Sequence, residues 1–313
     1  MAKKTLKAFA PGAISSFFEI SNTNPNGTPI TDLQYMGARG GGFGLQQGTH
    51  TQITLEDASE NNIQISINNQ PTTEAKVTQA ITQTLLSQVT KKYAITIQHQ
   101  IDVPIGMGFG TSAGGALTTA LALKEALNLP LTYNQIGKIA HLVEIQLQTG
   151  LGTVSSLTFG GGLILVTKPG APGICKIDRI PINPNYMVVL GCYKTLIPKK
   201  SVLTSPQKIQ QINIYGQKAL EAILSEPSLE NFLAQCWAFS QKAGFATDGI
   251  CELVKVAKKA GAIGAAQNMI GEVVHAVVPK EKVSLVAEAF RQTLPSNQVM
   301  VSGIDFEGVR LVK

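Results

Sequence analysis

The stretch Pro104 to Leu123, PIGMGFGTSAGGALTTALAL, runs from a glycine-rich loop into an apolar segment. Glycine loses more backbone freedom on folding than any other residue, so Gly106, Gly108 and Gly110, set ahead of Thr111 and Ser112, need a reason. One is anion binding: a glycine turn lets backbone N–H groups approach phosphate oxygens, and the helix behind it adds unpaired donors and a positive dipole end. The other is an ordinary strand-to-helix turn capped by Thr111 or Ser112. The residues alone fit both. Further along, AHLVEIQLQ puts His141, Glu144 and Gln148 at three- and four-residue spacing on one helix face. A carboxylate there suits Mg²⁺, which takes oxygen ligands and commonly only one or two protein carboxylates beside substrate phosphates. An exposed helical glutamate and a structural histidine would be written with the same letters. Arg39, in GARGGGF, can grip a carboxylate through two parallel bonds while its glycine neighbours admit substrate to the backbone, or it is a surface arginine in a flexible loop.

These groups need a scaffold, and the chain supplies alternating strand and helix signals. KKTLKAFAP and AISSFFEI read as strands around a Pro11-Gly12 turn. THTQITLED and NIQISINN alternate apolar and polar residues, with 58–62 as a hairpin connection. TTEAKVTQAITQTLLSQV has helical spacing, and YAITIQHQIDVP returns to strand alternation and leads into the glycine loop. Helices over 113–127 and 132–148 follow, then a second glycine-rich connection, TGLGTVSSLTFGGG. After the strand GGLILV and the sharp turn TKPGAPG come the strand YMVVLGCY and helical segments across 205–260. The end reads as strand, turn, strand and helix, closed by NQVMVSGI and GVRLVK as paired strands. Strands and helices mix without regular βαβ alternation, which predicts an α+β fold.

Composition narrows the class. Hydrophobic residues make up 44% and charged residues 15%, values of a compact folded chain rather than a disordered one. No apolar run approaches a membrane span and the N-terminus lacks a signal-peptide core, so the expected location is the cytoplasm, with no membrane partner. Cys175, Cys192, Cys236 and Cys251 are widely spaced and read as reduced, mostly buried thiols rather than a zinc site. The formal charge of +6 arises entirely after residue 150. Lysine pairs at 199–200 and 258–259 are scattered and without interleaved aromatics, so nucleic acid is not the expected partner.

Taken together, four segments resemble the GHMP kinases: the early APG, the PxGxGxGTSAGGAL loop opening a helix, a glutamate on the next helix, and the late GAIGAAQNMIGEVVHAVV. The likeness spans nearly the whole chain in the family's motif order. Within the family, FAPGAISSFF, GARGGGFGL, AHLVEIQLQTGLG and KPGAPG are most similar to its archaeal pantoate-phosphorylating branch, which serves coenzyme A synthesis. The resemblance implies a two-domain GHMP fold, divided at residues 1–165 and 166–313, with ATP bound between the domains. It implies ATP and Mg²⁺ as cofactors, a small hydroxy acid as substrate, and, since many members are dimers, a homodimer as a candidate assembly. It assigns Gly106, Gly108, Gly110, Thr111, Ser112, Ala113 and Gly114 to the nucleotide, Ser112 and Glu144 to the metal, and Arg39, His141 and Ser15 to the acceptor. Glu144 and Thr153 are then the expected catalytic positions.

Four positions depart from that pattern. Thr153 stands where an aspartate base is expected, and a threonine hydroxyl is not appreciably ionised near neutral pH. Ala13 replaces a histidine, Ala38 a serine, and Leu165 stands near the place of an arginine. Three readings follow: an active pantoate kinase, a kinase of another hydroxy acid, or a non-catalytic nucleotide-binding paralogue. Phosphoryl transfer asks little covalent help of the protein, so a site without a base is chemically admissible.

Overall fold

A computed structural model describes residues 3–193 and 205–313; the lysine pair at 199–200 lies outside them. Its spine is an antiparallel ribbon of two long strands, β1 (Lys4–Ser21) and β2 (Gly37–Asp57). Pro11 and Gly12 do not turn the chain, as their residue types predict. They sit within β1 at a register shift, and a second irregularity falls between Ser15 and Phe17. The glycines of GARGGGF serve that geometry: a Cβ on Gly42 would lie 1.7 Å from the Ile14 carbonyl oxygen, a distance no side chain tolerates.

One end of the ribbon carries β5 (Tyr93–Ile101), paired to β2 from Thr49 to Asp57. Next to β5, and parallel to it, lies β3 (Asn62–Ile67), edged by the short β4 (Gln70–Pro71). The hairpin expected between the second and third strands is therefore absent. β5 inserts between them because its Ile95 and Ile97 are fully buried, whereas β3 is only half-buried and suits a position nearer the edge. Helices α1 (Lys76–Leu86), α2 (Thr111–Ala126), α3 (Tyr133–Gln146) and the short α4 (Thr153–Phe159) accompany this end. α2 is buried on nearly every side, as a helix apolar all round must be. α3 starts at a capping box of Thr132 and Gln135.

The other end of the ribbon pairs with β6 (Leu163–Lys168), which carries β7 (Lys176–Ile180). Between its β6-paired and β5-paired segments β2 also pairs, at Gly44 and Leu45, with β11 (Val299–Asp305), from which the sheet continues through β8 (Met187–Cys192), β10 (Val273–Val278) and β9 (Gly264–Gln267). Helices α5 (Pro206–Ser225), α6 (Leu229–Lys242), α7 (Asp248–Lys259) and α8 (Val283–Arg291) complete this part. The last two strands do not pair with each other. β12 (Arg310–Val312) joins β1, because Asp305 accepts the Glu307 and Gly308 N–H groups at 3.0 and 2.8 Å and so redirects the chain.

Among the described residues all strand pairings except β3–β5 are antiparallel, and the fold is α+β. β1 and β2 feed both main cores: Ala8, Ala10 and Ile53 pack with α1–α4, while Phe17, Phe43 and Leu45 pack with α5 and α6. The 165/166 division runs through β6. Where the ribbon passes between the two cores it is bulged and glycine-rich, and a cleft opens there.

Candidate active site

The cleft has a volume of about 510 Å³. One wall is the loop at the start of α2. Gly106, Gly108 and Gly110 have φ values of 82°, 88° and 63°, the left-handed region that favours glycine. Gly110 is the residue before the helix and no side chain caps the turn, so neither Thr111 nor Ser112 plays the capping part their types allow. The first N–H groups of α2 are thus left for solvent or a ligand. Gly106, Gly108, Gly110, Thr111, Ser112 and Ala113 all line the cleft. Gly114 does not. It faces β2, where a Cβ would stand 2.9 Å from Thr49 Oγ1, and its smallness serves helix–strand packing.

Glu144 reaches the same wall from α3. It is 3% exposed, and its Oε1 accepts hydrogen bonds from the hydroxyls of Ser112 and, at 2.6 Å, Thr149. Just beyond the end of α3, Gln148 has a φ of 55° that turns the chain back so that Thr149 meets Glu144 and Gly150 lies under Oε2. Sequence reasoning passed over Thr149; the signal was a hydroxyl five residues after the glutamate, just beyond the helix end. The donor set of Ser112, Thr149 and Glu144 is all oxygen, which fits Mg²⁺ and not a thiophilic metal. Among the described residues there is no cluster of three His, Cys, Asp or Glu side chains.

His141 is elsewhere. One helical turn from Glu144, its ring lies 3.0 Å from the Met36 carbonyl, it is 1% exposed, and it is not among the cleft-lining residues. Burial lowers its pKa against the opposing pull of that carbonyl. A neutral ring whose Nε2–H donates to Met36 ties α3 to the chain entering β2, so the acceptor position expected for His141 is not one the cleft exposes.

Across from α2, the ribbon supplies Ser15 and Arg39. Ser15 lines the cleft, and its backbone is clamped: its N–H donates to Asn268 Oδ1 at 2.9 Å and its carbonyl accepts from Met269 N at 2.7 Å. Arg39 also lines the cleft, but its guanidinium is engaged. Nε and Nη2 both reach Glu19 Oε2, at 2.9 and 2.5 Å, from the opposite residue of β1. Burial raises the pKa of Glu19, while Arg39 pulls it down and Glu221 adds to the rise.

Thr153 is the first residue of α4 and lines the cleft beside Gly110, with Ala13 on the glycine's other side. Ala38 lines the cleft against Gly152. Leu165 does not face the cleft: it is 1% exposed in the core, and its β6 neighbours Ile164 and Val166 are the residues on the cleft side. Among the described lining residues the ionisable side chains are Arg39, Glu144 and Asp305, and Asp305 is held by Arg310 at 2.8 Å.

Residues 75–161, from α1 through α4, match the model of the GHMP kinases N terminal domain. A pantoate kinase of Methanocaldococcus jannaschii is 29% identical over 280 residues, 87% of this chain and 93% of its own length. A mevalonate kinase of Thermococcus gammatolerans is 30% identical over 236 residues, 69% of each chain. A solved structure described as a phosphotransferase related to the CoA biosynthesis pathway superposes with a TM-score of 0.85 and 27% identity, covering 99% of both chains.

Proposed function

This chain belongs to the GHMP kinases, and from that premise we propose that it transfers the terminal phosphoryl group of ATP to a hydroxyl of pantoate. One observation carries the reading: the glycine-shaped start of α2, the Ser112–Glu144 pair and Arg39 all open into a single cleft. The substrate follows from the pantoate kinase that matches nearly its full length, and from the CoA-pathway phosphotransferase that superposes on the whole fold.

In this reading the N–H groups of residues 111–113 receive the phosphates, and the dipole of α2 adds to their pull. Ser112 and Glu144 hold Mg²⁺, which when bound neutralises charge developing on the phosphoryl oxygens. Glu144 is anchored for that task by two hydroxyls. Arg39 meets the acceptor's carboxylate, and Ser15 shapes the floor between acceptor and loop. No described carboxylate stands at the position of Thr153 to take the proton of the attacking hydroxyl, so catalysis rests on positioning and charge stabilisation.

The test is single-turnover transfer from ATP with Mg²⁺ to pantoate and a panel of other hydroxy acids, by wild type, Thr153→Ala and Thr153→Asp. Wild type transfers slowly to pantoate, Thr153→Ala loses little, and Thr153→Asp is faster, since general-base help contributes about 10²–10⁴-fold where a step needs it. The apolar contact of Thr153 with the loop favours one rival, a nucleotide-binding protein without turnover. ATP binding with no transfer to any acceptor, by any of the three proteins, would establish that rival instead.

A further inference from the structure

We infer that Glu19 is a specificity-determining residue of the acceptor subsite, an internal carboxylate that competes with the substrate's own for Arg39; the inference rests on the hydroxy-acid kinase reading. Arg39 is the one cation among the described residues lining the cleft. Its Nε and Nη2 are both spent on a single oxygen of Glu19, from the facing strand of the ribbon. That engages the side of the guanidinium which would grip an incoming carboxylate through two bonds and leaves Nη1 at the end of the fork. The pair is 31% and 18% exposed at its two side chains, so it sits at the margin of the cleft, neither solvent-stripped nor freely hydrated. An acidic acceptor must therefore displace Glu19 or accept the poorer, end-on contact.

Holding Arg39 in this way has two chemical results. The acceptor subsite is close to neutral before substrate arrives, so phosphate-bearing anions gain little from entering it instead of the loop. An acceptor must also offer more than a negative charge, because charge alone only replaces a partner already present. The remaining recognition falls to the apolar side chains of Ile164, Val166 and Ala38, which suit a branched aliphatic acid.

The experiment compares wild type, Glu19→Gln and the Glu19→Gln/Arg39→Gln double variant, each verified as folded by thermal unfolding. Pantoate and its neutral primary amide are titrated calorimetrically, with Mg²⁺ and a non-hydrolysable ATP analogue present. Removing the competing charge while keeping the side-chain shape should tighten pantoate about fivefold, the scale of one partly exposed ion pair. The amide's affinity should stay as it was, and the gain should vanish when Arg39→Gln is added. Unchanged or weaker pantoate binding in Glu19→Gln, or equal tightening of acid and amide, overturns the assignment and leaves the kinase reading standing. Pantoate binding by none of the three proteins overturns both.

Discussion

Replacing Gly110 by alanine tests the loop at its tightest point. The residue has a φ of 63°, where a Cβ costs an L-amino acid roughly 1–2 kcal/mol. That Cβ would also stand 2.7 Å from Thr153 Cγ2 and 2.9 Å from Ala13 Cβ. Contacts this short must push neighbours aside, and overpacking of this kind costs about 1–3 kcal/mol. Gly110→Ala should therefore lose roughly 2–5 kcal/mol of unfolding free energy in urea. Thr153→Ser keeps the hydroxyl and deletes the offending methyl, so alone it should cost less than about 1 kcal/mol. Combined, the two changes should be less damaging than their sum by about 1 kcal/mol, because one steric contact is counted in the first variant and gone in the second.

The ligand readout separates packing from function. The backbone conformation at residue 110 aims the N–H groups of residues 111–113, and Thr153→Ser does not relieve the Ala13 contact or the left-handed φ. MgATP affinity of the double variant should thus stay at least about tenfold below wild type even where stability has partly recovered. Additivity of the two stability effects within about 0.5 kcal/mol would refute the contact. Unchanged MgATP affinity in a folded Gly110→Ala protein would refute the placement of phosphates on this loop.

Glu144→Gln keeps an oxygen for the Ser112 and Thr149 hydroxyls but removes the charge, so it should leave unfolding nearly unchanged and raise the Mg²⁺ concentration needed for activity by about tenfold. Identical Mg²⁺ titrations in the two proteins would reduce Glu144 to a positioner of hydroxyls. His275 is fully buried beside Ser16 and against the Phe43 ring, and burial pushes its pKa down to about 3. Because the folded value lies below the unfolded one near 6.5, stability is full above about pH 6.5 and declines as pH falls towards 3, by about 2 kcal/mol at pH 5. His275→Phe should remove that share of the pH 7-to-5 loss in urea unfolding, leaving the part due to buried His99, whose pKa falls to about 4; an unaltered slope would show that His275 does not stay neutral in the folded chain.

Helices were legible because their signals are local: apolar residues at intervals of four announce α1, and the apolar run after the glycine loop announces α2. The ribbon was not. Pro11 and Gly12 are turn residues by type, yet the structure uses them to bulge a continuous strand, a choice decided by what lies across from them on β2. Strand partners suffered likewise, since alternation reveals a face and not a neighbour. Nothing within NIQISINN says that β5, some thirty residues on in the chain, will take the place beside β2.

The residues near the start of α2 that line the cleft could be read from sequence because loop and helix are contiguous. Residues brought together by register could not. Glu19 and Arg39 meet only because the ribbon aligns them, and no spacing rule connects an arginine to a glutamate across an intervening loop. His141 shows the limit of helical spacing itself: positions three apart differ by about 60° around the axis. That rotation is enough to turn Glu144 towards Ser112 and His141 towards Met36. The departures from the family pattern also change meaning once placed. Ala13 and Thr153 flank Gly110 from two sides, and Ala38 packs on Gly152 immediately before Thr153. These are not scattered losses but one continuous, small and uncharged wall. A wall of that kind cannot pull a proton, yet it packs closely on the glycine turn and, under the proposed function, would keep competing charges from the phosphates. It fits a reaction driven by the donors of α2 and by the metal rather than by a base. Restoring a single carboxylate at 153 therefore asks whether the chemistry was waiting for a base or had already been built without one.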